Sequence, residues 1–192
     1  MSSLKNKIVT VFGGSGFLGR NLVSALVREG AIVRVASRHK NSCYQLRAGA
    51  LVGQVVPMQI NYKDDASIKA SLNGADFAVN LIGILAEGSH ARFHNVHVDF
   101  AAKLAGLARK NNIKHYVHIS AVGADEDAQS KYQRSKAEGE KAVLKAFPST
   151  TILRPSIIFG EGDGFFSRFA KMARILPVLP LIGGGKTKFA PI

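Results

Sequence analysis

The run Thr10-Val11-Phe12-Gly13-Gly14-Ser15-Gly16-Phe17-Leu18-Gly19-Arg20 decides how this chain is read. Behind it, Ile8-Val9-Thr10-Val11-Phe12 is apolar, rich in β-branched side chains and short enough for a buried strand. Ahead of it, Asn21 to Arg28 places apolar residues at helical spacing and meets a stop at Gly30. Gly13, Gly16 and Gly19 thus fall between a strand and a helix in a G-x-x-G-x-x-G pattern, the setting in which a glycine motif carries meaning. Gly13 suits a tight turn, Gly16 lets backbone amides approach a pyrophosphate, and Gly19 lets helix and strand pack closely. Amides at the helix start, with the positive end of its dipole, complete an anion site. The stretch predicts dinucleotide binding.

Outward from it, strands are expected at 31–36, 54–60, 76–82, 116–119 and 150–153, with helices at 64–72, 96–110 and 132–147. Strands alternating with helices at this rhythm predict an α/β fold, a doubly wound parallel sheet of the Rossmann type. The dinucleotide-binding domain is expected over 1–160, with 161–192 the start of a small C-terminal substrate or partner lobe that is largely missing.

The 192 residues are enough for one domain with a proper core. A hydrophobic share of 46%, a charged share of 20% and a mean hydropathy of +0.07 describe a soluble globular protein. One cysteine, Cys43, excludes an internal disulfide framework. No apolar run reaches the roughly 18 to 20 residues of a membrane span. The stretch before the first strand is too short for a leader peptide, so a cytoplasmic location is expected, or a leader that this sequence no longer shows. The net charge of +13 is spread along the chain without any nucleic-acid motif, and no nucleic-acid partner is expected. A solvated basic surface accounts for it; an anionic cofactor, a membrane surface or an acidic partner are the alternatives.

Two further places carry chemistry. The second strand ends in Ser37-Arg38-His39-Lys40, where a dinucleotide fold meets the adenosine ribose. A carboxylate there selects the 2′-hydroxyl of NAD; an arginine accommodates a 2′-phosphate. Arg38, with no acid nearby, favours NADP(H), and NAD(H) is the alternative. Tyr132 and Lys136 lie four apart on an expected helix, on one face. An ammonium beside a phenol is expected to lower its pKa, giving a general acid/base for a carbonyl or alcohol. Ser120, at the end of the fifth strand, is placed to donate to the same substrate oxygen.

Three motifs in combination resemble the extended short-chain dehydrogenase/reductases. They are the glycine run, Tyr132-Gln133-Arg134-Ser135-Lys136, and Leu153-Arg154-Pro155-Ser156-Ile157-Ile158-Phe159-Gly160. Val117 to Asp125 and the stretch from Phe159 to Thr187 resemble an atypical branch, that of the Rossmann-fold accessory subunit of respiratory complex I and its bacterial relatives. The resemblance implies that Gly13, Gly14, Ser15, Gly16, Phe17, Leu18 and Gly19 line the pyrophosphate, and that Ser37, Arg38 and His39 meet the ribose. It puts Asn61 and Tyr62 beside the adenine, and Leu81, Ile82 and Gly83 along the adenosine side. Tyr132 and Lys136 fall at the nicotinamide ribose and Pro155 to Ile158 at the carboxamide, with Ile119 a further cofactor contact. It implies a bound NADP(H), held structurally in the complex I type, with an active reductase, dehydrogenase or epimerase as the alternative. Partners would be complex I subunits, or the inner face of the cytoplasmic or mitochondrial inner membrane met through a basic amphipathic helix at 165–176. Many extended members have an asparagine where His97 stands.

His90, His94 and His97 are near helical spacing, but Asp99 is expected to face elsewhere, and no metal is expected. Glu138 and Glu140 are expected as exposed helix charges.

Overall fold

The computed structural model describes residues 4–89, 91–160, 162–164, 172–174 and 190–192. It divides into two compact units, Met1–Arg154 and Pro155–Ile192.

The first unit alternates strands and helices. Its order is β1 (Ile8–Phe12), α1 (Phe17–Arg28), β2 (Ile32–Ser37), a 3-10 turn (Lys40–Arg47), β3 (Val55–Gln59), α2 (Asp65–Leu72) and β4 (Phe77–Asn80). A π-helical turn (His94–Phe100), α3 (Ala101–Lys110), β5 (His115–Ile119), α4 (Lys131–Ala146) and β6 (Thr151–Leu153) complete it. The six strands pair in the order β3-β2-β1-β4-β5-β6, and every pairing is parallel. The expected doubly wound sheet is present. Its order reverses between β1 and β4, so the crevice beyond Phe12 and Asn80 is the switch point at which such sheets bind ligands.

β1 is apolar along its length because both of its faces are covered. Val9 and Val11 pack with Val23, Val33, Val35, Val55 and Cys43 on one side. Phe12 faces the other way, among Ile68, Leu72, Ala78, Leu104, Tyr116 and Val143. The one polar side chain in the strand, Thr10, is fully buried and donates its hydroxyl to the Ser71 carbonyl at 2.7 Å. α2 starts where Asp64 accepts from the amides of Ala66 and Ser67, an N-cap that satisfies two otherwise unpaired donors.

Most expected boundaries fall within two residues of those observed. The exception is the helix expected from 96: its first part is the π turn, and the regular α-helix starts only at Ala101. A Cβ on Gly139 of α4 would lie 2.1 Å from the His97 carbonyl oxygen, so only glycine lets the two approach this closely. The second unit is described at 155–160, 162–164, 172–174 and 190–192, where the Phe159 amide donates to the Ile192 carbonyl and the Ile192 amide to Ile157. Of the helix expected at 165–176, residues 172–174 are helical; the remainder lies outside the described residues, as does His90.

Candidate functional site

The glycine turn is built by two steric facts. Gly13 has φ +82°, a left-handed conformation that side chains resist. At Gly19 a Cβ would come within 2.3 Å of the Gly13 carbonyl oxygen and 2.5 Å of Gly14 Cα, so α1 touches the turn backbone directly. The Gly16 amide closes the turn onto the Gly13 carbonyl at 3.0 Å. No side chain caps α1 and no acid stands in its first turn, which leaves its positive end facing the crevice. Ser15, Phe17 and Leu18 are half-buried around it, and Gly14 and Gly19 are buried. Leu81 and Ile82 border the turn from β4, each within 3.3 Å of a Cβ placed on Gly13. These groups fit the pyrophosphate of a dinucleotide: an amide-rich, cation-like cradle that a side chain would fill.

At the end of β2, buried Ser37 uses its hydroxyl on the His39 backbone, leaving the Arg38 and His39 side chains exposed. The Arg38 guanidinium lies over the Tyr62 ring, 5.5 Å from its centre, and Tyr62 in turn packs on Phe100 at 4.6 Å between rings. Burial raises the Tyr62 pKa although Arg38 opposes it, so the phenol is neutral. Asn61 is exposed beside it and orders the loop by accepting from the Lys63 amide.

Tyr132, Ser135 and Lys136 all lie in the first turns of α4, facing the π turn. Lys136 is buried and donates Nζ to the Ile119 carbonyl at 2.9 Å. A Cβ on Gly83 would lie 4.0 Å from that Nζ and 3.6 Å from His97 Nε2, so the strand-following loop borders the same space. The Tyr132 ring meets His97 and Phe93 edge-on. One expectation is corrected here. Burial raises the Tyr132 pKa, whereas the Lys136 ammonium is spent on the Ile119 carbonyl. Burial also lowers the Lys136 pKa to about 8, with Glu140 opposing.

His97 is 1% exposed and joins three elements. The Ile84 amide donates to Nε2 at 3.0 Å, so that nitrogen is unprotonated and the proton sits on Nδ1. Nδ1 donates to Ser135 Oγ at 2.9 Å, and the Ser135 hydroxyl in turn donates to the Tyr132 carbonyl at 2.7 Å. Burial, with the Lys136 charge nearby, lowers the His97 pKa to about 4 and keeps the ring neutral.

Behind Lys136 lies a buried polar layer that the sequence did not reveal. The Asn80 side chain accepts from the Ile82 amide and donates to His118 Nδ1 at 3.1 Å. Burial lowers the His118 pKa to about 3, Lys136 adding to the effect. Glu140, expected to be exposed, is buried and receives a two-pronged Arg154 contact at 2.9 and 2.6 Å. Burial alone would raise its pKa, but the bonds and charge of Arg154 hold it below the ordinary value. Ser120 is buried, and its hydroxyl meets no hydrogen-bond partner among the described residues. The repeat Lys136–Glu140, one helical turn apart, was the available signal.

His94 is exposed between Asp99 at 3.4 Å and Glu138 at 3.6 Å. Asp99 reaches it because a π turn brings i and i+5 together, which the α-helical expectation missed. Among the described residues no group of three or more His, Cys, Asp or Glu could hold a metal. Pro155 and Ile158 belong to the second unit.

Residues 9–187 match the family described as NAD dependent epimerase/dehydratase. The chain belongs to that family. It is similar to the NADH dehydrogenase [ubiquinone] 1 alpha subcomplex subunit 9 of Arabidopsis thaliana, 39% identical, covering 100% of this chain and 48% of the relative. The Dictyostelium discoideum protein of the same name is 34% identical over 90% of this chain and 48% of its own length. The chain thus spans about half the length of these curated relatives. Among solved structures, the Bordetella bronchiseptica enzyme WbmG in complex with NAD superposes with a TM-score of 0.71. It is 14% identical, and the match covers 88% of this chain and 60% of that one. That likeness is one of fold.

Proposed function

We propose that this chain is an NADP(H)-binding Rossmann module of the complex I accessory-subunit type, holding its cofactor structurally. The observation that carries the cofactor choice is the ribose end: an exposed arginine braced on Tyr62, with no carboxylate at the end of β2. A guanidinium there matches the planar, bidentate geometry of a 2′-phosphate. NAD(H), with its bare 2′-hydroxyl, gains nothing from it. In this reading Gly13 to Gly19 line the pyrophosphate, Ser37, Arg38 and His39 take the ribose, and Asn61 and Tyr62 flank the adenine. Leu81, Ile82 and Gly83 border the adenosine side, Ile119, Tyr132 and Lys136 the nicotinamide ribose, and Pro155 and Ile158 the carboxamide.

The structural role is supported by the complex I names of the relatives and by the engagement of the acid/base residues. The phenol of Tyr132 is held neutral, and the Lys136 ammonium is bonded to Ile119. Complex I subunits are then the partners, at the inner face of the mitochondrial or cytoplasmic membrane, with 161–192 opening a partner lobe. Among the described residues no helix is long and apolar enough to cross a membrane.

A second reading, a working reductase or epimerase, is favoured by the placement of Tyr132 and Lys136 on one face of α4 beside Gly83. A bound nicotinamide would supply or accept hydride, and Tyr132 would exchange the accompanying proton. Mass analysis of the nucleotide that co-purifies, followed by NADPH consumption with a panel of carbonyl substrates, separates the two. Retained NADP(H) without turnover is expected. Steady oxidation that Tyr132→Phe abolishes would establish the second reading and overturn the first.

A further inference from the structure

Helices in this fold run back against the strands, so each ends where a strand begins. The four α-helices of the first unit close on cations: Arg28 in α1, Lys69 in α2, Arg109 and Lys110 in α3, Lys145 in α4. At this strand-start end the described residues include two carboxylates, Glu29 and Asp76, and Asp76 is already met by Lys7 and Lys114. The unit's other carboxylates lie on loops after strands or in helices short of their last turn. Cations stand at both ends of the first unit, but its carboxylates gather toward the glycine-turn end, which leaves the opposite end net cationic.

The same end carries an apolar tip. Between the 3-10 turn and β3, Leu51 is 78% exposed and Val52 108% exposed. The tip is held rather than loose. The Leu51 amide donates to Gln54 Oε1, and Gln54 Nε2 donates to the Val27 carbonyl at 2.8 Å in the last turn of α1. Two bare aliphatic side chains are thus latched next to the exposed Arg28.

We propose that this end of the sheet docks on an anionic bilayer surface, Leu51 and Val52 entering the interface and the helix-end cations meeting lipid phosphates. Apolar side chains that enter the headgroup boundary and cations that meet anionic headgroups are the two attractions that hold peripheral proteins on membranes. The cations stand on separate helix ends rather than around one pocket, which suits a diffuse negative plane better than one acidic protein contact. The inference uses none of the nucleotide-site residues, so either can fail alone.

Co-sedimentation of the chain with vesicles of phosphatidylcholine, alone or mixed with phosphatidylglycerol, tests it. Binding is expected to the mixed vesicles only and to weaken with added salt. The pairs Leu51→Asp with Val52→Asp, and Arg109→Glu with Lys110→Glu, should each weaken it about tenfold or more. Arg92→Glu, on the loop after β4, should change it less than about twofold, with thermal midpoints confirming that every variant folds. Equal binding to neutral vesicles, no binding to the anionic ones, or variants that bind like the parent overturn the proposal. Capture by polyglutamate without vesicle binding overturns it in favour of an acidic protein partner.

Discussion

Acidification probes the buried histidines directly. His97 and His118 are each 1% exposed, and burial, reinforced by Lys136, lowers their pKa values to about 4 and about 3 from 6.5. In the unfolded chain both rings return to the ordinary value. Between pH 6.5 and 4 the unfolded state therefore binds more protons, and stability falls as pH drops through that window. One pKa unit corresponds to about 1.4 kcal/mol, so moving from pH 7 to 5 removes about 2 kcal/mol per ring and about 4 in all. Asp76 and Glu140 have lowered pKa values, so their stabilisation is complete above the ordinary carboxylate range and is lost only below it. They leave the window from pH 7 to 5 to the histidines. Urea unfolding at pH 7, 6 and 5 measures the slope, and His118→Gln, whose amide oxygen can still accept from Asn80, should halve it. A flat profile between pH 7 and 5 would show that the rings are hydrated or charged in the fold, and would refute the neutral His97 bridge.

Other perturbations read other parts of the site. Arg38→Ala should weaken NADPH binding by about 10- to 100-fold in calorimetry, the loss of a charge-assisted phosphate contact, with NADH changed less than about twofold. An equal loss for both would mean the ribose lies elsewhere. Gly19→Ala forces a methyl against the Gly13 carbonyl and should cost about 3 kcal/mol, lowering the thermal midpoint by about 10 °C and abolishing nucleotide binding. Lys136→Met removes a buried ammonium whose pKa burial has lowered to about 8. It should raise stability at pH 7 by about 1 to 3 kcal/mol in urea unfolding while weakening nucleotide binding. A large destabilisation would show that the Ile119 bond outweighs the cost of desolvation.

The fold was legible because its signals are local. β-branched runs at Ile8–Phe12 and Ile32–Ser37, and a glycine turn between strand and helix, each specify their element without reference to distant residues. The π turn was not, because the apolar residues before Ala101 are too few for a one-residue shift of the helical period to stand out; Gly139, which approaches its His97 carbonyl, lies far along the chain. Tyr132, Lys136 and His97 could be picked out as residue types, but their partners could not. Glu140 read as a surface charge because helical spacing cannot register Arg154, which stands just past the end of β6. Likewise the capture of Lys136 by the Ile119 carbonyl depends on how deeply α4 sits against β5, a matter of packing rather than pattern.

The π turn at His94–Phe100 makes the number of residues in this segment a functional variable. Deleting one residue from it would let the segment close into an ordinary α-helix, a tighter and commoner form. Each residue in such a helix turns the chain by about 100°, so His97 would swing away from Ser135 while the buried apolar face of α3 kept its register. The bridge between Ile84 and Tyr132 would vanish without any side chain having been changed. Lineages of this fold that differ by a single deletion here would share a core and an alignment almost everywhere, yet differ in what holds the tyrosine in place.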